Sequence, residues 1–443
     1  MAERTDVIVV GARCTGSPLA ALLAREGVAV TVLDRATFPS DTLSSHLFEV
    51  DALAFVDRLG ALERVWATGT QIVSRTHARV EDLILDIELP QRPGDVGGMA
   101  SVRRSRLDPI LAEAAEQAGA QLRTGARVTG LLSDGGRVAG VRFVEGDREH
   151  ELRARLVVGA DGRHSTVARL VGARRYNVTP NQRLLFWAYF EGANMGPAPT
   201  FLSHRWGERF ILGIPTDGGL YQVLLWPELR ERGRFESEAE RDGAFLEHAR
   251  ACEPIADGLA GAKQVGKTLG AFRYEGFFRE GAGPGWVLCG DAGHFKSPAP
   301  GRGIGDAFLQ AESLTNALVG ALAGGDDALD RASGEWVRWR DREFAEHYWL
   351  AYDLEEAGTV PAVLVEILRG LHKRGRAGLF FDVLNHRARP TEIRTPPRVL
   401  GASARLLTRR GSRPRALLTE LGALGARDVR RRRLNGRHAY AAG

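Results

Sequence analysis

The feature that most constrains this chain is a glycine-bracketed turn between two β-branched runs in its first 35 residues. Asp6-Val-Ile-Val-Val10 reads as a short buried strand, Gly11-Ala-Arg-Cys-Thr-Gly16 as the turn, residues 17–25 as an Ala- and Leu-rich helix, and residues 28–33 as a second strand ending at Asp34. This is a βαβ unit, and it places the chain in the α/β class. A glycine turn opening a helix lets backbone N–H groups approach a pyrophosphate, where the helix dipole helps. The familiar spacing is G-x-G-x-x-G. Here Arg13 replaces the middle glycine, while Gly11 and Gly16 keep the tight turn and the close helix–strand packing. Asp34 lies 23 positions after Gly11, where a carboxylate accepts ribose hydroxyls. Ala12, Arg13, Ser17 and Arg35 join Gly11, Gly16 and Asp34 as nucleotide-site candidates, and a plain βαβ turn is the alternative.

Two further strand-to-helix turns follow. Val158-Gly-Ala-Asp-Gly-Arg-His-Ser165 comes after the apolar run at 156–160, with Asp161 either at a ligand or capping nearby N–H groups. Cys289-Gly-Asp-Ala-Gly-His-Phe-Lys-Ser-Pro-Ala-Pro-Gly-Arg-Gly-Ile304 precedes a long helix expected over 303–322. In it, Gly290-Asp291 suits a polyol chain, and Gly301-Arg-Gly303 exposes N–H groups to a partial negative charge.

Between these turns the pattern changes. A helix is expected near 107–118 and strands near 127–132 and 138–144. Residues 70–100 and 183–275 carry aromatic, alternating runs such as Leu184-Leu-Phe-Trp-Ala-Tyr-Phe190, bounded by Gly and Pro, which fit an antiparallel sheet. Residues 328–356 and 360–374 read as helices. The expected architecture is an α/β (α+β) chain with a Rossmann-like nucleotide-binding domain at 1–70, 101–178 and 276–330. A sheet domain at 71–100 and 179–275 is inserted into it, followed by C-terminal helices at 331–400 and a basic tail at 401–443.

The three turns, in this order, resemble the FAD-dependent monooxygenase superfamily typified by p-hydroxybenzoate hydroxylase, and more narrowly its geranylgeranyl-reductase-like branch. The narrower likeness rests on Phe38-Pro-Ser-Asp-Thr-Leu-Ser-Ser-His46, Val102-Arg-Arg-Ser-Arg-Leu-Asp108 and Gly290-Asp-Ala-Gly-His-Phe-Lys296 with Gly305-Asp-Ala-Phe308. The resemblance covers residues 5–355. It implies Gly11, Gly16 and Asp34 on the ADP half of FAD, Arg104 beside the flavin or its phosphates, and Asp161 in a turn shared by FAD and NAD(P)H. It further implies Asp291 on the ribityl or phosphate, Pro298 near the reactive flavin carbon, and Gly303 with Ile304 donating to the pyrimidine oxygen. Ser297 and Arg302 depart from the pattern, where nearer relatives tend to have Asp and Gln. His46 and Lys296 are polar candidates near the flavin, each as readily structural.

Charge and composition exclude other classes. The last 43 residues hold eleven arginines against Glu420 and Asp428, so the tail carries +9 and the rest of the chain −4 of the net +5. Nothing in the body resembles a nucleic-acid module, so the tail reads as a solvated helical appendage, with contact to anionic surfaces as its alternative. Only four lysines occur, which makes the arginine excess a bias of the whole chain. No apolar run is long enough to span a membrane, and Met1–Asp6 does not begin a secretory signal. Three scattered cysteines form neither a disulfide framework nor a zinc spacing, the histidines show no metal-ligand spacing, and a cytoplasmic location is expected.

The resemblance implies flavin chemistry: NAD(P)H, docking transiently without a Rossmann domain of its own, reduces FAD. O2 then gives a C4a-hydroperoxide that oxygenates an electron-rich small molecule. The expected function is hydroxylation or epoxidation of an aromatic or polycyclic substrate, with secondary metabolism as its expected setting. Trp187, Tyr189, Trp206, Tyr221 and Trp226 are candidates to roof that substrate, with about half of the sheet aromatics expected only to fill core. A C=C reductase of the geranylgeranyl type is the alternative. Its Y-x-W-x-F-P-type segment is absent, the nearest stretch being Phe210-Ile-Leu-Gly-Ile-Pro215, and so is the W-x-W-x-I-P segment of flavin halogenases.

Overall fold

The computed structural model describes residues 3–40, 42, 44–409 and 413–438. A six-stranded sheet runs in the order Ala282–Gly283, Trp286–Leu288, Leu156–Gly159, Val7–Val10, Val30–Asp34, Gln121–Thr124. All neighbours pair parallel except the edge pair Ala282–Gly283 with Trp286–Leu288. Alternate residues of each strand serve two layers. Val7, Val9, Val32 and Val158 pack with Leu19, Leu107, Leu111 and Phe308 of the helices Gly16–Arg25, Arg104–Gln117 and Gly303–Leu322. Ile8, Val10 and Val157 pack with Val141, Phe143 and Leu152 of a smaller sheet, which joins Ala126–Asp134, Arg137–Glu145, Arg148–Arg153 and Glu3–Arg4. The strands expected near 127 and 138 therefore belong to this covering sheet.

The topology gathers the three glycine turns. Trp286–Leu288, Leu156–Gly159 and Val7–Val10 are adjacent and parallel, so the turns that leave their carboxyl ends lie side by side. The crossovers diverge on either side of Val7–Val10, a switch point whose crevice is the usual place for a ligand in an open α/β sheet.

A seven-stranded sheet stands against this domain in the order Lys263–Ala271, Leu185–Glu191, Tyr221–Leu225, Arg209–Pro215, Thr200–Trp206, Arg75–Val80, Leu83–Glu88. Thr200–Trp206 and Arg75–Val80 pair parallel and the rest antiparallel. One face carries Leu185, Trp187, Tyr189, Phe210 and Trp226, in a cluster with Leu47, Val50 and Ala299 of the nucleotide-type domain. The opposite face carries Phe186, Phe190, Tyr221 and Val223 beneath Phe235 and Phe245, Phe245 being on the helix Glu238–Arg250. Sequence reasoning had not separated that helix from the strands around it. Two glutamates in its first turn complement the helix dipole, and Phe245 and Ala249 make an i, i+4 buried stripe.

The chain continues through the 29-residue helix Asp326–Leu354 into Ala362–His372, Leu379–Leu384, Pro396–Thr408 and Pro414–His438. Val363, Ile367, Val383, Ala402 and Leu417 give these helices a core of their own. The tail is docked rather than solvated on all sides. Arg427 donates to Asp353 (3.2 Å) and Glu356 (2.7 Å), and Arg431 donates to Asp353 at 2.5 Å. Arg405 and Arg409 pair with the buried Glu366. Among the described residues no helix is long and apolar enough to cross a membrane.

Candidate functional site

The three turns enclose a cavity of about 630 Å³, within the range of small-molecule and cofactor sites. Its wall includes Gly11, Arg13, Asp34, Arg35, Arg104, Asp161, Asp291, Lys296, Pro298, Gly303 and Ile304. Residues from 10 to 307, far apart along the chain, therefore meet in one place.

The first turn is built to bring backbone to the cavity. Gly11 N–H donates to Leu33 O (2.7 Å), Ala12 N–H to Asp34 Oδ2 (2.7 Å), and Ser17 Oγ to Ala12 O (2.7 Å). Ala12, Gly16 and Ser17 thus hold the turn from behind and do not line the cavity. A Cβ on Gly16 would lie 1.7 Å from Gly11 O, and one on Gly11, at φ +103°, would lie 2.5 Å from Ala160 O. Both positions are closed to any side chain. The other carboxylate oxygen of Asp34 accepts from Ala36 N–H at 2.8 Å, which fixes the group at the strand end.

Arg13 does not act alone. Its guanidinium donates to Asp108 Oδ2 (2.6 Å) and Ser40 Oγ (2.8 Å), and Arg104 Nε donates to Asp108 Oδ1 at 2.7 Å. A single buried carboxylate therefore clamps two arginines at the cavity wall. Asp108 was missed as a site residue, although the i, i+4 spacing from Arg104 in the Val102–Asp108 motif carries the signal. Among the described residues, with Arg35, Arg127, Arg163, Arg169 and Lys296, seven cations line the cavity against four carboxylates, Asp34, Asp161, Asp291 and Asp306. That balance suits a diphosphate.

The second turn places Asp161 as a cap. It accepts from Ser165 Oγ (2.5 Å), Thr166 N–H (2.6 Å) and Val167 N–H (3.3 Å) at the start of Thr166–Leu170, while still bordering the cavity. In the third turn Gly290, at φ +62°, donates its N–H to Gln310 Oε1 (2.9 Å), and a Cβ there would strike Thr15. Asp291 next to it faces the cavity. Burial pushes its carboxyl up to about 6 against the opposing pull of Arg104. Gly301, at φ +76°, packs on Leu47, whereas a Cβ on Gly303 would meet nothing within 4 Å. Gly303 opens the helix Gly303–Leu322, whose first N–H groups have no intrahelical acceptors.

The remaining candidates divide. Pro298 and Lys296 line the cavity, and Lys296 Nζ pairs with Asp306 Oδ2 at 2.5 Å. His46 does not line it. Its Nε2 lies 2.5 Å from Tyr189 Oη, bridging the two domains, and burial with nearby Arg104 lowers its pKa to about 3. The Phe38–His46 segment that carries His46 includes Asp41 and Leu43, which lie outside the described residues. Ser297 lines the cavity, but Arg302 is buried away from it, donating to Glu49 (2.8 Å) and Asp51 (2.6 Å). Cys14 and Cys289 are buried thiols pushed up to about 12 by desolvation, far from the thiolate form a nucleophile needs.

Beyond the Pro298–Gly301 loop lies a second, more apolar chamber of about 380 Å³. Ala299 and Pro300 form part of its wall, with Ile87, Phe201, Phe210 and Leu212 of the seven-stranded sheet, Phe381 and Leu384 of the C-terminal helices, and Leu424 of the tail. Of the five aromatic candidates, Trp187, Tyr189 and Trp226 are buried on the same sheet face as this chamber but do not line it. Tyr221 and Trp206 pack on the opposite face, because side chains alternate along a strand.

Residues 4–338 match the family described as FAD binding domain. The chain is 29% identical over 333 residues to 6-methylpretetramide 4-monooxygenase of Streptomyces rimosus, covering 72% of this chain and 76% of that protein. It is 25% identical over 350 residues to digeranylgeranylglycerophospholipid reductase of Methanosarcina acetivorans, covering 77% and 82%. The solved structure of the flavin-dependent brominase Bmp2 superposes with a TM-score of 0.69 at 17% identity, covering 96% of this chain and 100% of that one, which speaks for the fold alone.

Proposed function

The chain belongs to the FAD binding domain family and is an FAD-dependent oxidoreductase, and on that footing we propose that it is a monooxygenase. It uses NAD(P)H and O2 to place one oxygen atom on an aromatic or polycyclic small molecule. The observation that carries the reading is the adjacency of the two cavities. One loop, Pro298–Gly301, has Pro298 in the polar cavity and Ala299–Pro300 in the apolar chamber. An apolar substrate in the chamber lies one loop away from a cofactor in the cavity.

The residues present fit FAD. The Gly11–Gly16 turn and the positive end of Gly16–Arg25 receive the diphosphate, with Arg13 and Arg104 held toward it by Asp108. Asp34 takes the adenosine ribose, Asp291 the ribityl chain, and the N–H groups at Gly303 and Ile304 a flavin carbonyl. The open space at Gly303 is the cradle such a ring requires. Bound FAD supplies the transfer of electrons from NAD(P)H to O2. The chain supplies orientation, exclusion of water and an apolar chamber. The Glu355 carboxyl, pushed up to about 7 by burial, accepts from Tyr274 Oη at 2.6 Å and holds that phenol at the cavity edge.

Likeness to digeranylgeranylglycerophospholipid reductase favours a second reading, reduction of a C=C bond in the same chamber. Substrate-stimulated NAD(P)H oxidation across a panel of aromatic candidates separates the two. The monooxygenase consumes O2 in step with NAD(P)H when substrate is present. Turnover that proceeds without O2 and adds two hydrogens to the product overturns it in favour of the reductase.

A further inference from the structure

From the flavin-type cavity, whose wall includes both Lys296 and Asp306, a line of buried titratable side chains leads toward solvent. Lys296 Nζ, at the cavity wall, lies 2.5 Å from Asp306 Oδ2. The other oxygen of that carboxylate lies 3.1 Å from His386 Nε2, and His386 Nδ1 lies 3.6 Å from Glu343 Oε1. Side-chain exposure falls to 6% at Lys296, 7% at Asp306 and 4% at His386, then rises to 32% at Glu343. The groups thus run from the cavity wall through buried positions to a partly exposed carboxylate.

The surroundings of His386 are built for this contact. It has φ +54°, a left-handed conformation uncommon for a residue with a Cβ and frequent at functional positions. The His347 ring stacks on it at 3.7 Å, and Phe344 lies 4.9 Å away. Burial and the neighbouring His386 hold His347 far below the usual imidazole range, so it is a neutral wall. Although burial opposes it, Lys296, His386 and Arg302 keep Asp306 well below the usual carboxylate range, so Nε2 of His386 is the donor in that hydrogen bond. The step from Nδ1 to Glu343 is longer than a hydrogen bond and passes through a water or a side-chain rotation.

We propose that Lys296, Asp306 and His386 form a proton relay that delivers protons from solvent at Glu343 to the flavin cavity. An N–H bond of the Lys296 ammonium breaks toward an acceptor in the cavity. The amine regains a proton through Asp306 from His386 Nε2 as Nδ1 takes one up from bulk at the Glu343 side, and rotation of the imidazole returns an N–H to face Asp306. No electrons move in the relay. The inference rests on the flavin reading, because two-electron reduction of FAD takes up a proton.

The test uses the full chain loaded with FAD and reduced anaerobically by reduced methyl viologen, which delivers electrons without protons. Flavin bleaching reports electron arrival, and a pH-indicator dye reports proton uptake. In the unaltered protein the two signals coincide. In Lys296→Met and His386→Asn, the latter able to keep a positive φ, bleaching persists and proton uptake lags at least tenfold. Added imidazole restores His386→Asn, which a purely structural role would not allow. Uptake in step with bleaching in both variants overturns the relay alone. An unaltered protein that binds no FAD overturns the reading beneath it as well.

Discussion

Asp291 stands where its charge is costly to the fold and useful to a ligand. Its carboxyl, raised to about 6, binds a proton more readily in the folded chain than in the unfolded one, where the value is about 3.9. Stability without cofactor therefore falls as pH rises between about 4 and 6, and above that range the folded state carries the full penalty, bounded by about 3 kcal/mol. Asp291→Asn is expected to raise the melting temperature of the FAD-free protein at pH 7.5, with the gain gone by pH 4, while weakening FAD binding at least tenfold. Thermal unfolding across pH and flavin titration check both halves. The two turn glycines separate the same way. Gly16→Ala puts a Cβ against backbone and is expected to cost more than about 3 kcal/mol. Gly303→Ala enters open space, so stability stays within about 1 kcal/mol while FAD affinity drops. The glycines were legible because a turn between a strand and a helix leaves few uses for them. Arg302 was not, since its partner Asp51 lies 251 residues away, and of Asp108 only the i, i+4 contact with Arg104 was within reach, Arg13 being 95 residues off.

Among the elements, the long helices and the first βαβ unit were readable from period alone. Gly303–Leu322 falls where its apolar stripe and the preceding glycine turn put it. The sheet was harder. An alternating run announces a strand but not which of its faces meets the cofactor domain, and a shift of one residue exchanges them. Tyr189 and Tyr221 looked equivalent in sequence, yet one meets His46 and the other lies beneath the helix Glu238–Arg250. Arg302 shows how elements are joined: from the N-cap of Gly303–Leu322 it reaches Glu49 and Asp51 at the start of Val50–Arg58. Arg302→Met leaves the buried Glu49 and the half-buried Asp51 without this counter-charge and is expected to destabilise by about 3 kcal/mol in chemical denaturation. Glu49, already pushed up to about 8 by burial, would then take up its proton at a still higher pH.

Across the whole molecule, the parallel sheet brings three turns together and the antiparallel sheet faces them across an apolar chamber. The C-terminal helices close that chamber. The basic tail is part of this wall: Leu424, Arg427, Arg431 and Asn435 line the chamber, and none of them lines the flavin-type cavity. Arg405, Arg409, Arg427 and Arg431 of the tail are held by Asp353, Glu356 and Glu366, which sequence composition could not reveal. A chain ending at Arg409 is expected to retain FAD, bind a hydrophobic dye more strongly and show a raised KM for its apolar substrate. Loss of FAD on truncation would mean that the tail supports the cofactor domain instead. The central claim, oxygen transfer across the Pro298–Gly301 loop, is tested most directly by turnover with FAD, NAD(P)H and ¹⁸O2 over a panel of aromatic and polycyclic candidates. A product carrying one ¹⁸O atom, formed in step with O2 consumption, is the predicted result. A product that differs from its substrate only by two hydrogens and carries no ¹⁸O would contradict it.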